Sequence, residues 1–263
     1  MKSNKVKSLL IISGIIIYHI LRLRIIPGKD GLKHSTIATI IPDCLAFSDS
    51  LWMTCHWLIV LVPMILIMLL IHKPQKIWSE LGLSDKRFFQ SITIGFLFTI
   101  PMFVVNAICG ELYVNWDKIG ICFVAGVFEE LVFRGYLFGQ LFRNCRWGFL
   151  SATLISSLIF GFIHLYQGHD VVSTLLAVLV TGAGGVLFSW MYVEWNYRLW
   201  IPMSLHAFMD VAWIMFPVGE EGYGAAGNLA TNIGRIITVA LVIYATIYFK
   251  HKRGEKCLDF KKI

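Results

Sequence analysis

The chain has 263 residues, of which 57% are hydrophobic and only 15% are charged, and its mean hydropathy is +0.71. Soluble domains are about 45–50% apolar and about 25% charged, so this composition excludes an ordinary soluble globule, a disordered chain and a coiled coil. It predicts an all-α polytopic membrane protein. The net charge of +7 is typical of basic loops on the cytoplasmic side of a bilayer. No basic polar face is present, which argues against nucleic acid as a partner.

Eight hydrophobic runs follow one another along the chain, and each is long enough to span a lipid bilayer as a helix. They cover about residues 8–26, 51–71, 91–109, 120–142, 147–166, 171–190, 199–216 and 233–250. The sequence therefore predicts a bundle of about eight transmembrane helices enclosing a polar cavity. No soluble module interrupts the pattern, so we expect residues 1–263 to form a single transmembrane domain.

The basic residues predict how the chain is oriented. With the N-terminus inside, 16 of the 23 Lys and Arg residues fall on the cytoplasmic side and six on the other, while Arg134 lies within the fourth span. This distribution favours cytoplasmic N- and C-termini in a cell membrane. The first external loop is the exception, because Arg22, Arg24, Lys29 and Lys33 all lie in it or beside it. The Ile- and Lys-rich composition is typical of a bacterium of low genomic GC.

The fourth span contains three ionisable residues near its middle: Glu129, Glu130 and Arg134. A charge at the centre of a spanning helix costs about 2.5–3.5 kcal/mol, so such residues normally face the bundle interior or a wet cavity. Glu130 and Arg134 are four residues apart, which predicts an ion pair on one helix face. Glu129 lies about 100° further around the helix and is free to meet groups from other helices. Two carboxylates in different environments can serve as one base and one structural anion.

Two later spans contribute histidines. His164 ends the fifth span, four residues after Phe160, and His206 in the seventh span is followed four residues later by Asp210. A carboxylate beside an imidazole selects its tautomer and orients the ring. Together with the charged fourth span, these residues predict one shared polar site.

Three motifs in a fixed order now make a family resemblance visible. EExxxR, FxxxH and HxxxD each lie inside a hydrophobic span, at Glu129–Arg134, Phe160–His164 and His206–Asp210. This pattern resembles the CPBP family of intramembrane proteases, also called the CAAX-processing and bacteriocin-immunity, or ABI, family. The motif region covers about residues 120–212. The resemblance implies an eight-helix bundle with a conical cavity, and hydrolysis of a peptide or membrane-protein substrate by a glutamate-activated water.

Carried over to these positions, the resemblance implies a role for each motif residue. Glu129 would be the general base and His164 would help to position the water, while His206 and Asp210 would match the oxyanion-stabilising pair. Glu130 and Arg134 would support them. The family's last motif has Asn or Asp, and an ionised Asp has no hydrogen to donate. We therefore interpret Asp210 as the group that holds His206 as the donor. No metal or other cofactor is expected.

Three other functions remain open from the residues. Two Glu, two His and one Asp could bind Zn²⁺ in a zinc-dependent membrane protease, although no HExxH motif is present. Carboxylates and histidines in membranes also serve proton-coupled transport, although the chain shows no paired halves with broken helices. A non-catalytic membrane immunity or binding protein would need only a surface for its partner.

Overall fold

The described part of the computed structural model comprises residues 3–25, 48–218 and 224–258. Lys29 and Lys33 of the predicted first external loop lie outside it, as do the side chains of Arg22 and Arg24. The described residues form helices and no strand. Their α-helices are, in order, α1 (Asn4–Ile25), α2 (Asp49–Ile71), α3 (Ile77–Glu80), α4 (Phe88–Cys109), α5 (Trp116–Glu130), α6 (Phe149–Phe162), α7 (Val171–Glu194), α8 (Trp200–Met215) and α9 (Leu229–Lys252).

Each of the eight predicted spans contains one of the longer α-helices, and among the described residues the four-residue α3 is the additional α-helix. Six of these helices, α1, α2, α4, α6, α7 and α9, are long and apolar enough to cross a membrane. The prediction of an all-α polytopic membrane protein is confirmed. The other two long helices, α5 and α8, are the ones that contain the charged motif residues, and they pack within the same bundle.

Polar caps determine where several helices begin. Ser48 accepts a hydrogen bond from the Leu51 N–H at the start of α2. Asp170 with Ser173, and Asn228 with Thr231, form capping boxes at the starts of α7 and α9. Such caps satisfy backbone N–H groups that have no partner within the helix. The starts of α7 and α9 are thereby defined at the end of the bundle where α6 and α8 finish.

Helix α5 does not continue as a regular α-helix. Directly after Glu130 the backbone widens into π-helical turns over Leu131–Phe138 and Gln140–Asn144. The sequence predicts one uninterrupted helix over about 120–142, so this is a correction. The wide turns are surrounded by the core, and a Cβ atom at Gly139 would lie 2.7 Å from the carbonyl oxygen of Arg134. Tertiary packing therefore decides this geometry, and π turns often occur at functional sites.

Close approach between α5 and α8 determines the position of the polar residues. A Cβ atom at Gly126 would lie 2.6 Å from the backbone nitrogen of Ala207. Only glycine allows the two backbones to come this near, as small residues commonly do in membrane bundles. Because His206 precedes Ala207, this contact brings its ring next to the last turn of α5.

Candidate active site

A fully buried ion pair lies at the centre of the site. Arg134 Nη1 donates to Glu130 Oε1 over 3.0 Å, and neither side chain is exposed to any extent. The predicted i,i+4 pair is therefore present despite the change to π-helical turns. The Arg134 guanidinium lies between two aromatic rings, 4.3 Å from the centre of Phe160 and 5.2 Å from that of Phe188. Both contacts are cation–π interactions that stabilise a desolvated cation.

His206 is oriented by Glu130. Its Nδ1 atom lies 2.8 Å from Glu130 Oε1, whereas Asp210 Oδ2 lies 3.5 Å from its other nitrogen, Nε2. Asp210, which we interpret from the sequence as the group that holds His206 as the donor, lies at ion-pair distance from Nε2. The tight α5–α8 contact adds a second carboxylate, that of Glu130, at Nδ1. Since a carboxylate can only accept, Nδ1 carries a proton, and Nε2 can donate only when the ring is an imidazolium.

His164 lies just beyond the end of α6, which finishes at Phe162, and so outside the helix in which the sequence places it. Its Nδ1 is 2.7 Å from the carbonyl oxygen of Phe160. A carbonyl oxygen accepts only, so Nδ1 is protonated and Nε2 of the neutral ring carries a lone pair. The FxxxH motif thus has a structural meaning: the backbone of Phe160 selects the tautomer of the histidine.

Glu129 faces both histidines. Its Oε2 atom lies 4.0 Å from His164 Nε2 and 4.0 Å from His206 Nε2. These distances exceed a direct hydrogen bond and are in the range that a bridging water molecule can span. Glu129 is buried, with 8% of its surface exposed. The two adjacent glutamates therefore differ: Glu130 is hydrogen-bonded to Arg134, whereas Glu129 contacts the two histidines at 4.0 Å.

The site opens toward the surface at Asp210. Its side chain is 38% exposed, compared with 13% for His206 and none for Glu130. The six predicted residues, Glu129, Glu130, Arg134, His164, His206 and Asp210, therefore form one polar cluster that extends from the core to an accessible edge. Within the part of the chain that the structure describes, no group of three or more His, Cys, Asp or Glu side chains is arranged to hold a metal ion.

Phe188 is the residue of this site that the sequence does not reveal. Its ring stacks on His206, with centroids 5.5 Å apart and planes 22° apart, and it also contacts Arg134. It belongs to α7, a helix that contributes none of the three motifs. A phenylalanine in an apolar span has no spacing that distinguishes it from its lipid-facing neighbours, so only the folded chain identifies it.

The segment that contains the site is similar to known membrane peptidases. Residues 111–212 match a family model described as type II CAAX prenyl endopeptidase, Rce1-like. That segment contains all six residues of the polar cluster. In this segment the chain is similar to the CPBP family of membrane proteases.

Two curated relatives extend the CPBP match. YdiL of Bacillus subtilis, to which a membrane peptidase activity is ascribed, is 33% identical over 87 residues, which cover 33% of this chain and 31% of YdiL. The membrane-embedded CAAX protease MroQ of Staphylococcus aureus is 28% identical over 183 residues, covering 61% of this chain and 70% of MroQ. The chain thus spans less than a third of the length of YdiL. No solved structure shows a significant match.

Proposed function

We propose that this protein is an intramembrane endopeptidase of the glutamic type, which hydrolyses a peptide bond in a peptide or membrane-protein substrate. The observation that carries the proposal is the position of Glu129 Oε2, 4.0 Å from the Nε2 atoms of both His164 and His206. Side chains from α5, α8 and the end of α6 meet at one point where a water molecule can be activated. Residues 120–212 would form the catalytic core of a single transmembrane domain.

In this mechanism Glu129 acts as the general base. A water between Glu129 and His164 gives one proton to the carboxylate, while its other hydrogen is held by the lone pair of His164 Nε2. The water oxygen attacks the substrate carbonyl carbon and forms a tetrahedral intermediate. Glu129 then delivers the same proton to the leaving nitrogen as the C–N bond breaks. General base catalysis of this kind contributes about 10²–10⁴-fold.

The oxyanion of the intermediate requires a donor in a site of low dielectric. His206 can supply one through Nε2 when its ring is charged, because Glu130 already occupies the Nδ1 hydrogen. Glu129, Glu130 and Asp210 all lie close to this ring, and their negative charge favours an imidazolium. Arg134 in turn keeps Glu130 ionised and in position. Glu130 and Arg134 are therefore positioning residues in this proposal.

The cellular setting is proposed from the same features. The Lys and Arg distribution favours both termini on the cytoplasmic side of a bacterial cell membrane. MroQ is named a CAAX protease, so a C-terminal peptide or a small membrane peptide is a reasonable substrate class for this chain. Self-immunity to a bacteriocin would be one physiological use of such a peptidase.

The direct test is digestion of a peptide library by the purified protein in liposomes, with products identified by mass spectrometry. Glu129→Gln should lower the rate by about 10²–10⁴-fold, because the amide cannot accept the proton. Glu111→Gln, at an exposed position, is the matched control and should retain the wild-type rate.

Two further arms separate the competing functions. A chelator should leave the rate unchanged, and loss of activity restored by Zn²⁺ would instead support a zinc protease. Full activity in Glu129→Gln would refute the glutamic mechanism. Flux of an uncleavable peptide across the liposome membrane would support a transporter, and protection without cleavage would support a binding protein.

A further inference from the structure

Arg235 is a cation near the open edge of the polar cluster that none of the three motifs includes. It lies in the second turn of α9, which begins at Leu229 at the end of the bundle where α8 finishes. Its guanidinium carbon lies 5.2 Å from the centre of the Trp213 ring. Trp213 is three residues after Asp210 on α8, so the two side chains share one helix face. Arg235 is therefore adjacent to the accessible edge of the site.

The electrostatics agree with this placement. The charges that act on Asp210 are those of His206, Glu129, Glu130 and Arg235. Arg235 thus acts on the exposed member of the polar cluster, Asp210, whereas Arg134 is fully buried at the other end of the cluster. At its exposed edge the polar cluster therefore has carboxylates inside and the guanidinium of Arg235 beside them.

Part of the Arg235 side chain is already held in place. Nη1 donates to Asn232 Oδ1 over 2.9 Å, and Asn232 Nδ2 donates to the carbonyl oxygen of Ala226 over 2.8 Å. The Trp213 ring covers one face of the guanidinium. Among the described side chains Arg235 forms no direct ion pair. The guanidinium is therefore half-buried, held in one orientation and not paired with a carboxylate of the described residues. Such a group is suited to bind a carboxylate of a ligand through its N–H donors.

We propose that Arg235 and Trp213 form a carboxylate-binding subsite that determines which peptides the polar cluster accepts. The inference rests on the proposed peptidase function and names its substrate class: a peptide with a carboxylate group close to the scissile bond. That carboxylate is either the C-terminus of the peptide or an Asp or Glu side chain. The guanidinium attracts this group while the aromatic ring packs against the apolar part of the same residue.

The simplest competing role for Arg235 is to neutralise Asp210. The two roles differ in what they make the activity depend on. A neutralising arginine affects all peptides by the same factor, and Asp210→Asn would compensate for its loss. A subsite affects only peptides that carry the carboxylate, so the ratio between charged and uncharged peptides is the informative quantity.

The test uses pairs of short apolar peptides that differ in one group. One pair compares a free C-terminus with a C-terminal amide, and the other compares Glu with Gln beside the scissile bond. We expect the wild type to prefer the carboxylate form of at least one pair by about tenfold, as for a hydrogen bond to a charged group. Arg235→Gln should reduce that ratio to about one. Arg235→Lys should retain part of it. Lys252→Gln, at the exposed far end of α9, is the matched control and should keep the wild-type ratio.

Binding of the same peptides, labelled and measured by fluorescence anisotropy in the Glu129→Gln background, gives a readout that does not require turnover. A carboxylate preference in binding that depends on Arg235 supports the subsite even if no peptide is cleaved, and in that case the peptidase proposal alone fails. An unchanged ratio in Arg235→Gln overturns the subsite. So does an equal loss for both members of a pair that Asp210→Asn reverses. Glu220 and Glu221, which lie in the sequence between α8 and α9, are changed together to Gln as a further variant. If this variant loses the carboxylate preference as Arg235→Gln does, these two glutamates rather than Arg235 control the preference, and the proposal is overturned.

Discussion

Two regions of this protein bury charged side chains, and they do so in different ways. At the end of the bundle where α7 and α9 finish, Arg198 Nε lies 2.7 Å from Asp85 Oδ2, and Arg198 Nη2 lies 2.6 Å from Ser91 Oγ. Nearby, Lys250 Nζ lies 2.6 Å from Glu194 Oε2. The other oxygen of Glu194 accepts from the Leu258 N–H. Each carboxylate therefore has a short ion pair, and Asp85 has a second, longer contact of 3.9 Å with Arg87 Nε.

The polar cluster is neither balanced nor saturated. Three carboxylates share one enclosed guanidinium, and Glu129 is 4.0 Å from its nearest histidine nitrogens. Within the described residues, Glu130 Oε2 and the Nε and Nη2 atoms of Arg134 have no hydrogen-bond partner. Buried polar groups usually have one. The contrast indicates that the first region holds the bundle together, whereas the second retains polar capacity for water and substrate.

The largest expected effect is on catalysis. His164→Gln should lower the rate of peptide hydrolysis by about 10²–10⁴-fold, because the imidazole lone pair that faces Glu129 is lost. The thermal unfolding temperature should change less than the rate, since the hydrogen bond from Nδ1 to the carbonyl oxygen of Phe160 is local to the end of α6. Rates are measured with the liposome assay and folding by thermal unfolding in detergent. His251→Gln, at an exposed position on α9, is the control, and near-normal rates in His164→Gln would contradict the assigned role.

Removing the enclosed cation should affect both stability and activity. Arg134→Met leaves the Glu130 carboxylate buried without compensation, which should lower the free energy of unfolding by about 3–5 kcal/mol. Lys250→Met makes the corresponding change in the other region, where it removes the cation that pairs with Glu194. It should also destabilise the protein, but less, because Glu194 keeps its backbone hydrogen bond. Turnover per folded molecule should fall only in Arg134→Met, and an equal fall in both variants would remove the distinction between the two regions.

The contact between α5 and α8 offers a smaller perturbation. Gly126→Val inserts a branched side chain where even a Cβ atom meets the backbone of Ala207, and overpacking of this kind costs about 1–3 kcal/mol. The displaced helices should also lengthen the Glu130–His206 hydrogen bond and reduce activity. Gly184→Val is the matched control, because a Cβ atom there would have nothing within 4 Å. Unfolding and hydrolysis are measured together, and wild-type behaviour of Gly126→Val would argue against a tight contact.

The smallest expected effect is the pH dependence of the stability that the Asp85 carboxylate contributes. Burial by itself would raise the pKa of Asp85, but hydrogen bonds from Ser91, the Arg87 N–H and Arg198 outweigh it and lower the pKa below its ordinary value of 3.8. The carboxylate therefore contributes stability that is fully present above pH 3.8 and is lost as the pH falls toward the lowered value. Acidification from about pH 5 to pH 3 should reduce the unfolding temperature more in the wild type than in Asp85→Asn. Asp49→Asn, exposed at the start of α2, should behave like the wild type.

Much of this architecture can be predicted from the sequence because its causes are local. Runs of about 20 apolar residues determine the spans, and the spacing of Glu130 and Arg134 predicts their ion pair. The three motifs identify the six residues of the polar cluster. Their order along the chain also predicts the family that the matched segment resembles.

Tertiary structure decided how those residues meet. The sequence cannot reveal that Glu130 rather than Asp210 binds Nδ1 of His206, since this depends on how closely Gly126 lets α5 approach α8. It also gives no sign of the π-helical turns after Glu130, of Phe188 beneath the imidazole, or of Arg235 at the exposed edge of the polar cluster. The spacing of polar residues along the sequence indicates which face of a helix is polar. The rotation and separation of neighbouring helices, in contrast, follow from side-chain packing over the whole bundle. That packing determines the distances on which the proposed chemistry depends.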